Sequence, residues 1–131
     1  MPLTNEKAMN YRGMELRVQE LTVYPNKAIT TVTQATNRST GVTIDSAAGQ
    51  ITTNAASLAA AAEAKFVVTN NTVTAKSVII ANLASGSTAD TSIVNVYAVA
   101  NGSFTLQLTN LNAATADTGA AVINFVVIGV N

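Results

Sequence analysis

The sequence predicts an all-β fold, an antiparallel β-sandwich or jelly-roll-like domain of about eight strands with an N-terminal arm. Three observations predict it. Charged residues make up 11% of the 131-residue chain, against about 25% in ordinary soluble domains, and Thr, Ser, Asn and Ala fill the difference. Thr and Val favour strands, whereas Asn, Gly and Ser favour turns. Second, residues 92–111 (SIVNVYAVANGSFTLQLTNL) read as one β-hairpin about Asn101-Gly102, the strongest short turn signal between two strand-like runs. Third, short strand-like runs recur roughly every 8–12 residues with turn residues between them, as in sandwiches rather than βαβ units. A chain of this length is expected to form one domain that buries roughly two-thirds of its unfolded surface.

Residues 1–38 hold eight of the fourteen charged side chains, and the remaining residues hold only six. That shift divides the chain near Pro25, whose ring blocks helix continuation and ladder donation, into a charged arm, 1–27, and a β domain, 28–131. In the arm Met14, Val18 and Leu21 have helical spacing, while Met14, Leu16 and Val18 alternate, and periodicity does not decide between the two.

From residue 28 the β signal takes over. Residues 28–36 are Thr-rich and read as a strand. Residues 41–45 and 50–53 flank Ser46-Ala47-Ala48-Gly49, which reads as a four-residue turn with Gly49 at a positive φ. Residues 54–64 contain an Ala run that Thr53 or Asn54 would cap, but eleven residues without a strong apolar face are marginal for a helix. A loop or short helical turn is expected there. Residues 65–69 form a strand led by Phe66 and ended by Asn70-Asn71. Residues 73–83 form another, with Val78, Ile79 and Ile80 as a buried continuous run. A loop at 85–91 is built on Gly86.

In the central hairpin both turn residues are expected at φ > 0. A two-residue loop sets Val99 opposite Phe104 and Tyr97 opposite Leu106. Ile93, Tyr97, Val99, Phe104, Leu106 and Leu108 then share the core face. After a small polar loop at 112–118, residues 122–130 close the chain as a strand apolar on both faces. Ile123, Phe125 and Val127 lie on one, and Val122, Val126, Ile128 and Val130 on the other. Such a strand is central in a sandwich or faces another subunit, so Val122, Val126, Ile128 and Val130 are the candidate subunit interface.

The residue inventory narrows the chemistry. The chain has no His, Cys or Trp, which removes His- and Cys-based nucleophiles and metal sites. It has no GxxxxGK[ST] or GxGxxG motif. A net charge of zero offers no footprint for nucleic acid. Outside the arm the carboxylates Asp45, Glu63, Asp90 and Asp117 each stand alone in sequence, whereas a glycosidase needs two about 5–9.5 Å apart. Residues 87–90 and 112–117 offer one carboxylate each, too few for a calcium loop. The expectation is no catalytic residue, no cofactor and no bound metal. Arm charges interrupt any leader-like apolar run, and the most apolar stretch, 119–130, is too short to span a bilayer and carries Asn124. The low charge leaves a surface poorly defended against self-association, as if identical subunits or a larger assembly cover it.

Four stretches carry a resemblance: TQATNRSTGVTIDSAAGQITT at 33–53, FVVTNNTV at 66–73, VANGSFTLQL at 99–108 and VINFVVI at 122–128. In this order and spacing they resemble small structural proteins encoded by tailed bacteriophages and prophages, over about 100 of the 131 residues. The resemblance implies a virion protein of the capsid decoration (cement) type, a homotrimer on the outside of the head shell, made in the host cytoplasm. Its partners would be the major capsid protein and its own copies, with no nucleic acid and no membrane. The first 30 residues fall outside the resemblance. The arm is nonetheless the expected grip, with Arg12, Arg17 and Lys27 meeting acidic groups on the capsid protein. Two other readings stand beside it: the receptor-binding head of a tail fibre or spike, presenting loops 85–91 and 112–118 to a glycan, and a carboxylate-based polysaccharide hydrolase.

Overall fold

A computed structural model describes residues 29–86, 88 and 91–129. The expected arm, 1–27, and Val130 lie outside the described residues. Within them the chain is all-β, with eight strands and no helix: β1 (Thr30–Thr33), β2 (Val42–Thr43), β3 (Ala48–Thr52), β4 (Glu63–Thr69), β5 (Val78–Ser85), β6 (Ser92–Ala100), β7 (Ser103–Asn110) and β8 (Val122–Ile128). They form two four-stranded sheets, β1-β3-β8-β5 and β2-β4-β7-β6. This is the expected β-sandwich. The sheets are mixed rather than purely antiparallel, because β1 pairs parallel with β3 and β2 parallel with β4.

The expected turn at 46–49 does not exist as a hairpin. β2 lies in one sheet and β3 in the other, so the chain crosses the sandwich at Ser46 and Ala47. Gly49 lies within β3, and Gly102 is the glycine with positive φ among the described residues. Gly49 serves close packing instead: a Cβ there would lie 2.6 Å from Ile44 Cδ1 and 2.9 Å from Phe125 Cε1. Residues 54–62 form a loop, tied by a lone bridge from Leu58 to Asp117.

The alternation of β4 and β7 sets the core. Phe66 faces Leu106 and Val68 faces Phe104 across the ladder, and all four side chains are buried. Ile51, Ile79, Ile123, Phe125 and Val127 oppose them from the other sheet. The Phe104 and Phe125 rings meet across the sandwich with centroids 5.2 Å apart and planes tilted by 54°, in the offset range that aromatic pairs prefer. Leu58, Ala64, Leu108 and Ala121 form a smaller cluster beside it.

Two expected faces are corrected. The β6–β7 hairpin closes at Asn101-Gly102, with Val99 opposite Phe104 as expected. A bulge between Val96 and Ala98 then sets Val96, not Tyr97, opposite Leu106. Because side chains alternate with period 2, one extra residue exchanges the faces of everything before it. Val94 and Val96 therefore pack against the core, while Tyr97 is 59% and Ile93 46% exposed. In β5, only Ile79 of the expected buried run is buried; Val78 and Ile80 are half-exposed because the sheet is covered on one face only and side chains alternate along the strand.

The hairpin turn also differs from expectation. Gly102 takes φ +78°, but Asn101 does not take a positive φ, so only the second turn residue needs the left-handed region, as in type II turns. Tertiary bonds hold the tip. Gly102 N donates to Val73 O (2.9 Å), Asn70 N to Gly102 O (2.9 Å), and Ala75 N to Asn101 Oδ1 (2.8 Å).

Candidate functional site

Three regions present groups that a binding or assembly function would use. The first is the end of the sandwich where loops 34–41, 53–62 and 111–121 meet. Arg38 and Asp117, 79 residues apart, are both buried there. Arg38 Nη2 lies 3.4 Å from Asp117 Oδ1 and donates to the carbonyl oxygens of Asp117 (3.1 Å) and Gly119 (2.6 Å). Its Nε donates to Ala56 O. Ser92 Oγ donates to Asp117 Oδ2 (2.5 Å), and Thr88 Oγ1 reaches Oδ1 at 3.4 Å. The carboxylate is thus enclosed by a cation and two hydroxyls, and the guanidinium is bound to loop carbonyls. These bonds offset much of the pair's desolvation, although Arg38 Nη1 is buried with no hydrogen-bond partner. Chemically it is a clamp that fixes three loops and the start of β6.

Buried amides extend the clamp. Asn110 Nδ2 reaches the carbonyls of Leu58, Ala59 and Thr115 at 2.9–3.2 Å, and its Oδ1 accepts from Asn112 N. Gln34 Nε2 donates to Arg38 O and Thr40 O, while its Oε1 accepts from Asn54 N. At the opposite end Asn70 bonds Ser46 O and caps its own turn through Thr72.

The second region is the outward face of the β2-β4-β7-β6 sheet. Lys65 Nζ lies 3.0 Å from Glu63 Oε1 and 4.1 Å from the centre of the exposed Tyr97 ring. Gln107 Nε2 donates to Glu63 Oε2 (2.6 Å). The hydrogen bond to Glu63 is the main cause that holds the Lys65 ammonium above its ordinary pKa of 10.5. Exposed pairs of this kind contribute little to stability. They give this face its only described charges within strands.

The third region is the outward face of the β1-β3-β8-β5 sheet. None of its four strands carries a charged residue. Ile51, Ile79, Ile123, Phe125 and Val127 point inward, so their neighbours in sequence point out. Val78 stands opposite Ile128, Ile80 opposite Val126, and Asn82 opposite Asn124, with Gln50 on the far side of Asn124. Gln50 Nε2 donates to Asn124 Oδ1 (2.9 Å). The result is an apolar corner of four branched side chains beside a row of three amides. Val78 and Ile80 are 51% and 53% exposed.

Neither protein-family models, nor curated proteins, nor solved structures give a match to this chain.

Of the residues singled out in the sequence, Val122, Val126 and Ile128 lie together on the outward side of β8, each partly exposed. Arg12, Arg17, Lys27, Val130 and Asp90 lie outside the described residues. The three described carboxylates stay apart. Asp117 is in the clamp, Glu63 is on the sheet face, and Asp45 accepts from Asn71 N at the other end (2.8 Å). No group of three or more metal-ligating acidic side chains occurs among the described residues. The apolar run at 78–80 carries no sign that Val78 and Ile80 lie on the surface, because it does not show that one face of the sheet is uncovered. Arg38 was missed because no local pattern marks a cation that enters the interior.

Proposed function

We propose that this chain is a structural protein of a tailed-phage virion, a homotrimeric capsid decoration (cement) protein that binds the outside of the head shell and stabilises it. The observation that carries the reading is the charge-free sheet with Val78, Ile80, Val126 and Ile128 on its outward side. Free-standing domains keep contiguous exposed apolar patches small and interrupt them with charge. Depletion of charge is the compositional mark of the centre of an interface. A decoration protein gains such contacts many times over by symmetry.

The remaining features support the same reading. The clamp at Asp117 directs its polar groups inward, which suits a rigid building block better than a loop surface that reads a glycan. The arm supplies Arg12, Arg17 and Lys27 as cations to meet acidic groups of the major capsid protein. The test is to add the purified full chain to phage heads stripped of decoration and measure co-sedimentation and the temperature at which the heads break. Saturable binding with a raised breakage temperature is expected. Absence from purified virions, or recovery in tail fractions alone, overturns the reading.

A further inference from the structure

We infer that the outward face of the β1-β3-β8-β5 sheet is where copies of this chain meet, with Val78, Ile80, Val126 and Ile128 at the centre of the contact. This rests on the reading of the chain as an assembly protein and names the surface and the partner. Three properties of the face select a second copy over other occupants.

The first is charge. A face without Asp, Glu, Lys or Arg does not complement a charged partner surface. It also does not complement residues 1–28, which carry seven charges and join the fold at β1, the edge of this sheet opposite β5. The second is the amide row. Gln50, Asn124 and Asn82 each carry a donor and an acceptor group. Because each amide both donates and accepts, it can pair with an amide of a copy whichever way the two are turned. Gln50 and Asn124 already bond each other and still have hydrogen-bonding capacity left. The third is size. Four strands of 4, 5, 7 and 8 residues, about 4.8 Å apart and rising ~3.3 Å per residue, give a face of ~380 Å² in projection, before side-chain relief is added. That is nearly half of the ~800 Å² per partner that a standard interface buries. A contact of this size fits a weak, concentration-dependent association rather than a permanent one.

The other outward face is the natural control. It has Val67 at 47% exposure, close to Ile80, but sets it among Lys65, Glu63 and Gln107.

The experiment uses the full chain. Light scattering over a roughly thousandfold dilution series is run for the natural protein, Ile80→Lys and Val67→Lys. Circular dichroism reports whether each is folded. The natural protein is expected to form a dimer or trimer. Ile80→Lys is expected to raise the dissociation constant by about tenfold or more, and Val67→Lys to leave it unchanged. A second measurement does not depend on a lysine variant folding. The chain has no cysteine, so Ile80→Cys and Val67→Cys each carry one thiol whose labelling by a maleimide can be timed. Cys labelling at position 80 is expected to be slow in concentrated protein and to become fast on dilution, while position 67 labels fast throughout.

A natural protein that stays monomeric overturns the inference, as does an oligomer that Ile80→Lys leaves intact. Position 80 protected equally at every dilution also overturns it and assigns the cover to residues 1–28 of the same chain. Monomers that bind stripped heads remove the inference and leave the decoration reading standing. Copies that meet through this face but do not bind heads remove the decoration reading alone.

Discussion

Arg38 and Asp117 show how much a fold of low charge can depend on two ionised residues. Each is buried, and each binds groups from loops that the strands alone leave unconnected. Removal of one partner leaves the other as an uncompensated buried charge, which costs more than the pair contributes. Arg38→Met is therefore expected to lower the unfolding free energy by ~3–5 kcal/mol, read from urea denaturation followed by circular dichroism. A loss below about 1 kcal/mol would show that water reaches Asp117 and takes the place of the guanidinium. In the sequence Asp117 looks isolated, because its partner lies 79 positions away. The buried Asn110, Asn70 and Gln34 are equally hidden. An Asn that satisfies a core and an Asn that ends a strand at the surface are the same letter with the same neighbours.

At the scale of the elements, alternation was legible where it is unbroken. β7 reads as a strand with Phe104, Leu106 and Leu108 inward, and all three are buried. β6 carries the bulge at Tyr97, and no residue type in VNVYAV marks it. Edge strands commonly carry such bulges, which twist the free edge away from stray pairing. The two aromatic side chains separate the bulged register from the regular one. Phe104→Ala is expected to cost ~3–5 kcal/mol as a core truncation, and Tyr97→Ala less than about 1 kcal/mol as a surface change. Chemical denaturation of both variants checks this, and equal losses would restore the regular register. Gly49 makes a third case. Its φ is ordinary for any residue, so Gly49→Ala acts through space alone. Its new methyl would meet Ile44 and Phe125 inside 3 Å. The expected loss is ~1–3 kcal/mol from overpacking, measured in the same way.

For the molecule as a whole, the uneven distribution of charge matters more than the net charge of zero. Charged side chains at described strand positions lie only in β4, on one sheet, and the other sheet has none. If copies meet through the charge-free sheet, association adds to the stability of the folded state by mass action. The midpoint of thermal unfolding is then expected to rise with protein concentration in the natural chain and to become independent of it in Ile80→Lys. Differential scanning calorimetry over a concentration series checks this. A midpoint that does not move in either protein would mean that the sandwich is stable without its copies.

The sequence by itself determined the fold class, the number of strands and the approximate limits of most of them, although the strand expected from residue 73 begins only at Val78. Those follow from local quantities: strand propensity, alternation and turn residues act within a few positions along the chain. It also located the two-sided apolar character of β8, which is central in its sheet. Only the tertiary structure decided which strands pair, that the chain crosses between sheets before Gly49, and that β1 and β2 pair in parallel. It alone turned Val78 and Ile80 outward, moved Tyr97 out of the core and joined Arg38 to Asp117. These depend on which face of a sheet is covered and on contacts between residues far apart in the chain. Such contacts are selected by the packing of the whole sandwich and leave no mark within a short window of sequence.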